Sequence, residues 1–275
     1  PPSPLDPIIS HSIIMPEKNC VISLYIYSTM TTVAIIPARY DSSRFPGKPL
    51  ALIHGKPMIR HVYEGVSGAV SLNAVIVATD DTRIRQVVEG FGGKVVMTSG
   101  EHSSGTDRIS EVAPGLDADI IVNVQGDEPM VRAEMIDQCV GLMDDECADM
   151  ATLKILITNK NEIHDTNVVK VVTDAEGFAL YFSRLPIPFC RDASKGQYHG
   201  LYYKHIGIYV YRREVLLALR QRPQCMTETA ESLEQLRALH YGYRIKVIET
   251  TVQTHAVDTP EDIGKVEQWL NERKK

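Results

Sequence analysis

Val33-Ala34-Ile35-Ile36-Pro37-Ala38-Arg39-Tyr40-Asp41-Ser42-Ser43-Arg44-Phe45-Pro46-Gly47-Lys48-Pro49-Leu50 joins a short apolar run to a loop that crowds three cations and several hydroxyls among prolines. Val33 to Ile36 reads as a buried strand. Pro37, Pro46 and Pro49 preset local backbone angles and break helix, so the segment behind the strand is expected to present Arg39, Arg44 and Lys48 from a rigid edge. A loop at the carboxyl end of a first strand is where open α/β sheets bind ligands, and clustered cations suit a polyphosphate. The run is not a Walker A loop, because Gly47-Lys48 is followed by Pro49 rather than Ser or Thr and position 42 is Ser rather than Gly. That excludes the ordinary ATPase reading.

Outward from this loop, short apolar runs alternate with segments of helical period. Helix is expected over Pro57 to Val70, strand over Ala74 to Thr79, helix over Thr82 to Phe91 and strand over Lys94 to Met97. The rhythm continues with helix over Thr106 to Val112, strand over Asp119 to Val124 and helix over Ala133 to Met143. Such alternation predicts an α/β fold with a mostly parallel, doubly wound, Rossmann-like sheet. After Ala148 strand signals dominate, at Met150 to Ile157, Val168 to Thr173 and Phe178 to Ser183, joined by turns such as Asp174-Ala175-Glu176-Gly177. They predict a smaller mixed or antiparallel insertion at about residues 150–205. A strand at His205 to Tyr211, helices at Arg213 to Leu219 and Glu228 to His240, a strand at Arg244 to Glu249 and a helix at Pro260 to Arg273 complete the pattern.

A chain of 275 residues with 44% hydrophobic and 23% charged content can bury a substantial core. Residues 30–275 are read as a single domain. The net charge of -6 and pI near 5.9 argue against nucleic acid as the principal partner, since duplex binding needs a basic face. Cys20, Cys139, Cys147, Cys190 and Cys225 form an odd set without a CxxC pair, which fits a reducing compartment and points to the cytoplasm. Residues 1–29 are proline-rich at first and lack both a signal-peptide pattern and an apolar run of membrane-spanning length. They read as an appendage ahead of Met30, with a weak membrane anchor as the lesser alternative and no stable membrane association expected.

Two carboxylates stand out. Asp119-Ile120-Ile121-Val122-Asn123-Val124-Gln125-Gly126-Asp127-Glu128-Pro129 is an apolar strand ending in a polar turn, which places Asp127 at the same sheet edge as the cationic loop. Mg²⁺ is held by one or two carboxylates together with phosphate oxygens, although a turn aspartate bonding its own backbone fits the local sequence too. Glu128 reads as solvated. Asp258 precedes the last helix, where an aspartate is commonly an N-cap. Thr259, Pro260 and Asp262 already supply a cap, a first-turn proline and a capping acid, which leaves Asp258 for another task. Two carboxylates beside a polyphosphate loop suggest metal-assisted phosphoryl or nucleotidyl transfer.

Pro37-Ala38-Arg39 through Pro49-Leu50, Asn123 to Pro129, Tyr181-Phe182-Ser183-Arg184, Leu233-Glu234-Gln235-Leu236-Arg237 and Val257-Asp258-Thr259-Pro260-Glu261-Asp262 together resemble the 3-deoxy-manno-octulosonate (Kdo) cytidylyltransferases, also called CMP-Kdo synthetases. The resemblance runs from about Met30 to the last helix. It implies transfer of CMP from CTP to Kdo with release of pyrophosphate, for lipopolysaccharide inner-core synthesis. It implies that Pro37, Ala38, Arg39, Arg44, Lys48 and the turn Ser104-Gly105-Thr106 bind the nucleotide, that Arg39 and Lys48 with Asp127 and Asp258 are catalytic, and that Asp127 and Asp258 ligate Mg²⁺. Standing alone, the Ser and Thr of that turn would read as helix caps. For the sugar acid, Gln125, Arg184, His205, Glu234 and Gln235 offer donors and acceptors for a carboxylate and several hydroxyls. A close analogue of Kdo remains an alternative acceptor. The resemblance also implies a homodimer, for which the strand-rich stretch Met150 to Ser183 offers an edge.

Overall fold

A computed structural model describes residues 30–42, 44–102, 104–191 and 200–272. The appendage expected at residues 1–29 lies outside them. In the first half, β1 (Thr32–Ala38) is followed by a small hairpin, β2 (Leu52–Ile53) and β3 (Lys56–Pro57), then α1 (Met58–Ser67), β4 (Ala74–Thr79), α2 (Thr82–Gly90), β5 (Lys94–Met97), α3 (Gly105–Val112), β6 (Ile120–Val124) and α4 (Ala133–Gly141). The second half runs β7 (Met150–Leu156), α5 (Lys160–His164), β8 (Lys170–Thr173), β9 (Ala179–Ser183), β10 (Tyr203–Arg212), α6 (Arg213–Arg220), α7 (Met226–Glu231), α8 (Gln235–His240), β11 (Ile245–Glu249) and α9 (Pro260–Glu272).

β1 and β6 are buried along their whole lengths, as continuous apolar strands in the middle of a helix-covered sheet must be. Ile35 and Ile36 expose no surface, and each such side chain contributes about 1.5–3 kcal/mol relative to leaving it in water. The main sheet has the order β11-β7-β10-β6-β1-β4-β5. Its neighbours pair in parallel, except that β10 runs antiparallel to both β6 and β7. The chain leaves β1 toward β4 and β5, then returns to place β6 on β1's other side. The order therefore reverses between β1 and β6, and a crevice opens beyond their carboxyl ends, the ligand position of open α/β sheets.

The expected mostly parallel sheet with an antiparallel addition is present. β7, the first strand signal after Ala148, belongs to the main sheet, while β8 and β9 form a hairpin that attaches to β10 through Lys204 and Lys170. The pairing of β10 with β7 slips between Ile206 and Tyr209, where Thr152 Oγ1 reaches the carbonyls of Ile206 and Ile208 at 3.1 and 2.7 Å.

One expectation fails. The helix over Glu228 to His240 is two helices, broken at Ser232, whose φ of 50° lies in the left-handed region. Leu233, Leu236 and Leu239 carry a continuous apolar period, but buried Glu228 pairs with Arg237 across the break and folds α7 against α8. Glu234 and Gln235 consequently sit at a corner rather than midway along a rod.

α9 packs Val266 with Ile53, Met58, Met130 and Val257 in a small apolar cluster, and the backbone N–H of His54 donates to Glu267 Oε1 at 2.7 Å. These contacts bring the segment before α9 to the mouth of the β1–β6 crevice. Among the described residues no helix is long and apolar enough to cross a membrane.

Candidate active site

The crevice is a cavity lined by the end of β1, the cationic loop, the turn before α3, the turn after β6 and Asp258. Two glycines allow these pieces to close on one another. A Cβ on Gly126 would stand 2.8 Å from the Pro37 carbonyl, and one on Gly105 would stand 3.0 Å from Gln125 Oε1 and 3.1 Å from Pro37 Cγ. Larger residues would force the turns apart.

Lys48 opens a 3₁₀ turn over Lys48–Leu50, and its side chain is only 13% exposed. Its ammonium donates to Asp127 Oδ2 at 2.5 Å and lies 3.6 Å from Asp258 Oδ1. Arg44 reaches Asp258 Oδ2 at 3.4 Å from a side chain that is 67% exposed. Arg39 is exposed beside them and lines the cavity. Two loops distant in sequence thus set a carboxylate pair around one ammonium. The backbone N–H of Val257 donates to the Asp127 carbonyl at 2.9 Å and ties the loops together.

Asp258 is spared from capping α9 by Asp262. The carboxylate of Asp262 accepts from the backbone N–H groups of Thr259 and Asp258 at 3.0 and 3.1 Å, and from Lys265 at 2.7 Å. Burial opposes its ionisation, but these donors prevail and hold it well below the usual carboxylate range.

Glu128 corrects the sequence reading. It is half-buried rather than solvated, and its Oε2 is buried without a hydrogen-bond partner among the described residues. Burial first, then repulsion from Asp127 and Asp258, pushes its carboxyl up to about 8, against the opposing pull of Lys204 and Lys48. Nothing in the Asp-Glu-Pro run distinguishes the acid with an unpartnered buried oxygen from its neighbour; the fold does.

A second, smaller hollow lies beside the first, lined by Thr106, Tyr209, Tyr211, Arg220, Glu234, Gln235 and Arg237 among others. Glu234 is held by two hydroxyls of the first site's turn, Ser104 Oγ at 2.9 Å and Thr106 Oγ1 at 2.6 Å. Gln235 is buried.

The cytidylyltransferase family model matches residues 33–247. The 3-deoxy-manno-octulosonate cytidylyltransferase of Pelobacter propionicus is 52% identical over 247 residues, covering 87% of this chain and 97% of the relative. The Geobacter sulfurreducens enzyme of the same name is 52% identical over 249 residues, covering 88% of this chain and 100% of the relative. The chain belongs to the 3-deoxy-manno-octulosonate cytidylyltransferase family. It is accordingly a nucleotidyltransferase. A solved structure of CMP:2-keto-3-deoxy-manno-octonic acid synthetase complexed with CTP superposes with a TM-score of 0.83 at 47% identity, covering 88% of this chain and 99% of that one. A 4-diphosphocytidyl-2C-methyl-D-erythritol synthase from Anaerococcus prevotii shares the fold, with a TM-score of 0.61 at 14% identity and coverage of 88% and 97%.

Within this cytidylyltransferase, the main cavity gathers Pro37, Ala38, Arg39, Arg44, Lys48, Ser104, Gly105, Gln125, Asp127 and Asp258, while Thr106, Glu234 and Gln235 line the second hollow. Arg184 and His205 line neither. The Arg184 guanidinium donates to backbone carbonyls, those of Glu231 at 2.6 Å, Thr166 at 2.9 Å and Ser232 at 3.2 Å, and so braces the α7–α8 corner. His205 Nε2 is 2.9 Å from Thr152 Oγ1, and its ring packs against Phe182 and Tyr209 with centroids 5.0 and 5.2 Å apart. Burial lowers the imidazole to about 3, so it is neutral at working pH.

Ser42 in the main cavity and Tyr209 in the hollow were not singled out from the sequence, while His102 and Arg108, also in the main cavity, bound the loop expected to bind the nucleotide but were given no role of their own. Arg108 is buried, with its guanidinium bonded to Asp80 Oδ2 at 3.1 Å and to the Ser99 carbonyl at 3.3 Å. Tyr209 had a usable signal: on a strand, positions 205, 207, 209 and 211 share a face, so the reasoning that selected His205 extends to Tyr209.

Proposed function

We propose that this cytidylyltransferase transfers CMP from CTP to 3-deoxy-D-manno-octulosonate, giving CMP-Kdo and pyrophosphate. The observation that carries the reading is the Asp127–Lys48–Asp258 arrangement at the β1–β6 crevice, with Arg39 and Arg44 beside it. The names of the relatives supply the substrates.

The residues fit a divalent cation. Two carboxylates from separate loops already converge on a cationic head group, and oxygen donors of this kind suit Mg²⁺. Asp127 and Asp258 would hold it, and its chemistry would be to neutralise triphosphate charge. The protein's own groups do the remainder. Arg39, Arg44 and Lys48 bind the triphosphate and stabilise charge that moves onto pyrophosphate as it leaves, favouring the transition state over bound CTP. The anomeric hydroxyl oxygen of Kdo forms a bond to the α-phosphorus while the bond from that phosphorus to the β-bridging oxygen breaks. The hydroxyl proton passes to solvent. Pro37, Ala38 and the Ser104–Thr106 turn hold the nucleoside end, with Gln125 between the turns. Glu234, Gln235 and Tyr209 face the acceptor, and Arg184 and His205 shape that side from behind.

By the same reading the product feeds lipopolysaccharide inner-core synthesis in the cytoplasm, where CTP is supplied. The enzyme acts as a homodimer. Support for pairing comes from β9, which among the described residues has β8 as its one strand neighbour, and from apolar side chains along and after it: Leu180 is 61% exposed, Leu185 63% and Phe189 86%. Light scattering at assay concentration should give twice the chain mass, and a monomer mass would refute pairing. For the activity, purified protein should release pyrophosphate only when CTP, Kdo and Mg²⁺ are all supplied. Absence of release with all three present would sink the proposal.

A further inference from the structure

One carboxylate of the second hollow holds the turn that lines the first. Glu234 accepts from Ser104 and Thr106, the residues on either side of Gly105, with one oxygen for each hydroxyl. Ser104 lines the main cavity, whereas Thr106 and Glu234 line the second. The Ser104 hydroxyl also accepts the Asp107 backbone N–H at 3.1 Å, capping α3. A hydroxyl has one proton to give, so the proton's commitment to Glu234 and the cap together fix how Ser104 is turned. Gly105 is packed against Gln125 and Pro37, which leaves the turn little room to adjust if that hold is released. On the other side of Gly105, Gln125 Nε2 donates to Asn123 Oδ1 at 3.2 Å, which holds the side chain that Gly105 packs against.

We propose that Glu234 is a positioning residue for the nucleotide: its carboxylate sets the Ser104–Thr106 turn that CTP meets, and thereby couples the acceptor hollow to the nucleotide cavity. The inference rests on reading the main cavity as the CTP site. It separates two roles that activity alone would merge. A residue that only touches the acceptor changes nothing until the acceptor arrives, whereas a residue that sets the turn alters CTP binding to the enzyme without acceptor. By linkage, whatever binds at Glu234 also acts on CTP affinity.

Isothermal calorimetry of CTP into the full chain, with Mg²⁺ and without sugar acid, tests this directly. Loss of two hydrogen bonds to a charged acceptor should weaken CTP by roughly tenfold in Glu234→Ala and by less in Glu234→Gln, which keeps one carbonyl acceptor. Ser104→Ala combined with Glu234→Ala should weaken CTP less than the product of the single effects, because both remove one contact. Circular dichroism would establish that each variant is folded. Should Glu234→Ala fail to fold, Glu234→Gln and Thr106→Val decide, each expected to weaken CTP by roughly threefold. CTP affinity within twofold of wild type in the folded Glu234 variants, with only the acceptor KM raised, would overturn the proposal. Wild-type protein that binds no CTP would instead overturn the reading of the cavity.

Discussion

On the nucleotide side, Arg39, Arg44 and Lys48 come from a single loop behind β1 and line an open, charged cleft; on the acceptor side, Tyr209, Glu234 and Gln235 come from a strand and a helix corner and share a smaller hollow with Tyr211, Arg220 and Arg237. The first region holds its geometry by ion pairing at the cleft mouth, Lys48 to Asp127 and Asp258. The second holds it from behind, through Arg184 on three carbonyls and His205 on Thr152. Substitutions on the nucleotide side should therefore damage catalysis with little loss of stability, and those behind the acceptor side should damage stability first.

The largest effect is expected from Lys48→Ala, which removes the ammonium shared by the two carboxylates. Loss of a preorganised charge-stabilising donor should cut kcat by about 100- to 1000-fold, measured as pyrophosphate release, while thermal melting stays within a few degrees of wild type. A Lys48 variant that melts far below wild type would break the contrast. Arg184→Met should do the reverse. It leaves the Glu231, Thr166 and Ser232 carbonyls without their donor and should cost about 2 kcal/mol in denaturant unfolding, with a raised acceptor KM and near-normal CTP binding.

A pH experiment sharpens the buried side further. His205 is neutral when folded because burial lowers its pKa to about 3, whereas an exposed imidazole titrates near its ordinary value of 6.5. The unfolded chain therefore binds the proton first. His205's contribution is fully present above about pH 6.5 and is lost progressively as pH falls toward 3. At about pH 5 the loss amounts to up to about 2 kcal/mol, so His205→Asn should unfold with a shallower pH dependence than wild type between pH 6.5 and 5. Parallel pH profiles for the two proteins would show that the ring is not shielded.

The smallest effect belongs to Arg44→Ala. Its pair with Asp258 is long and solvated, so stability should change by less than about 1 kcal/mol and the KM for CTP should rise only modestly. A loss as deep as that of Lys48→Ala would place Arg44 closer to the reacting phosphate than its exposed position suggests.

The same contrast explains what the sequence disclosed. Arg39 and Asp127 were legible because each stands just past the end of a buried strand, and Lys48 because prolines mark out the loop that carries it behind the first; sheet topology delivers strand ends to one edge. Asp258 was legible by elimination, since Thr259, Pro260 and Asp262 accounted for the helix start. The acceptor side was harder to read because its geometry depends on breaks in regular patterns. Ser232 turns left-handed inside a continuous leucine period, and β10 slips its register near Gly207. Neither event has a local signature as strong as proline behind a strand. Arg184 was singled out as a carboxylate ligand, and the carbonyls of Glu231, Thr166 and Ser232 that hold its guanidinium come from segments no local pattern connects. Glu128 looked solvated because burial of one acid in an Asp-Glu pair is decided by tertiary packing.

The ³¹P spectrum of CTP incubated with the enzyme, Kdo and Mg²⁺ tests the central assignment most directly. The account predicts loss of the three triphosphate resonances, appearance of one phosphodiester resonance from the CMP-sugar and an equimolar quantity of pyrophosphate, with all three changes abolished in Asp127→Asn. An unchanged triphosphate, or hydrolysis to CMP without a sugar phosphodiester, would contradict it.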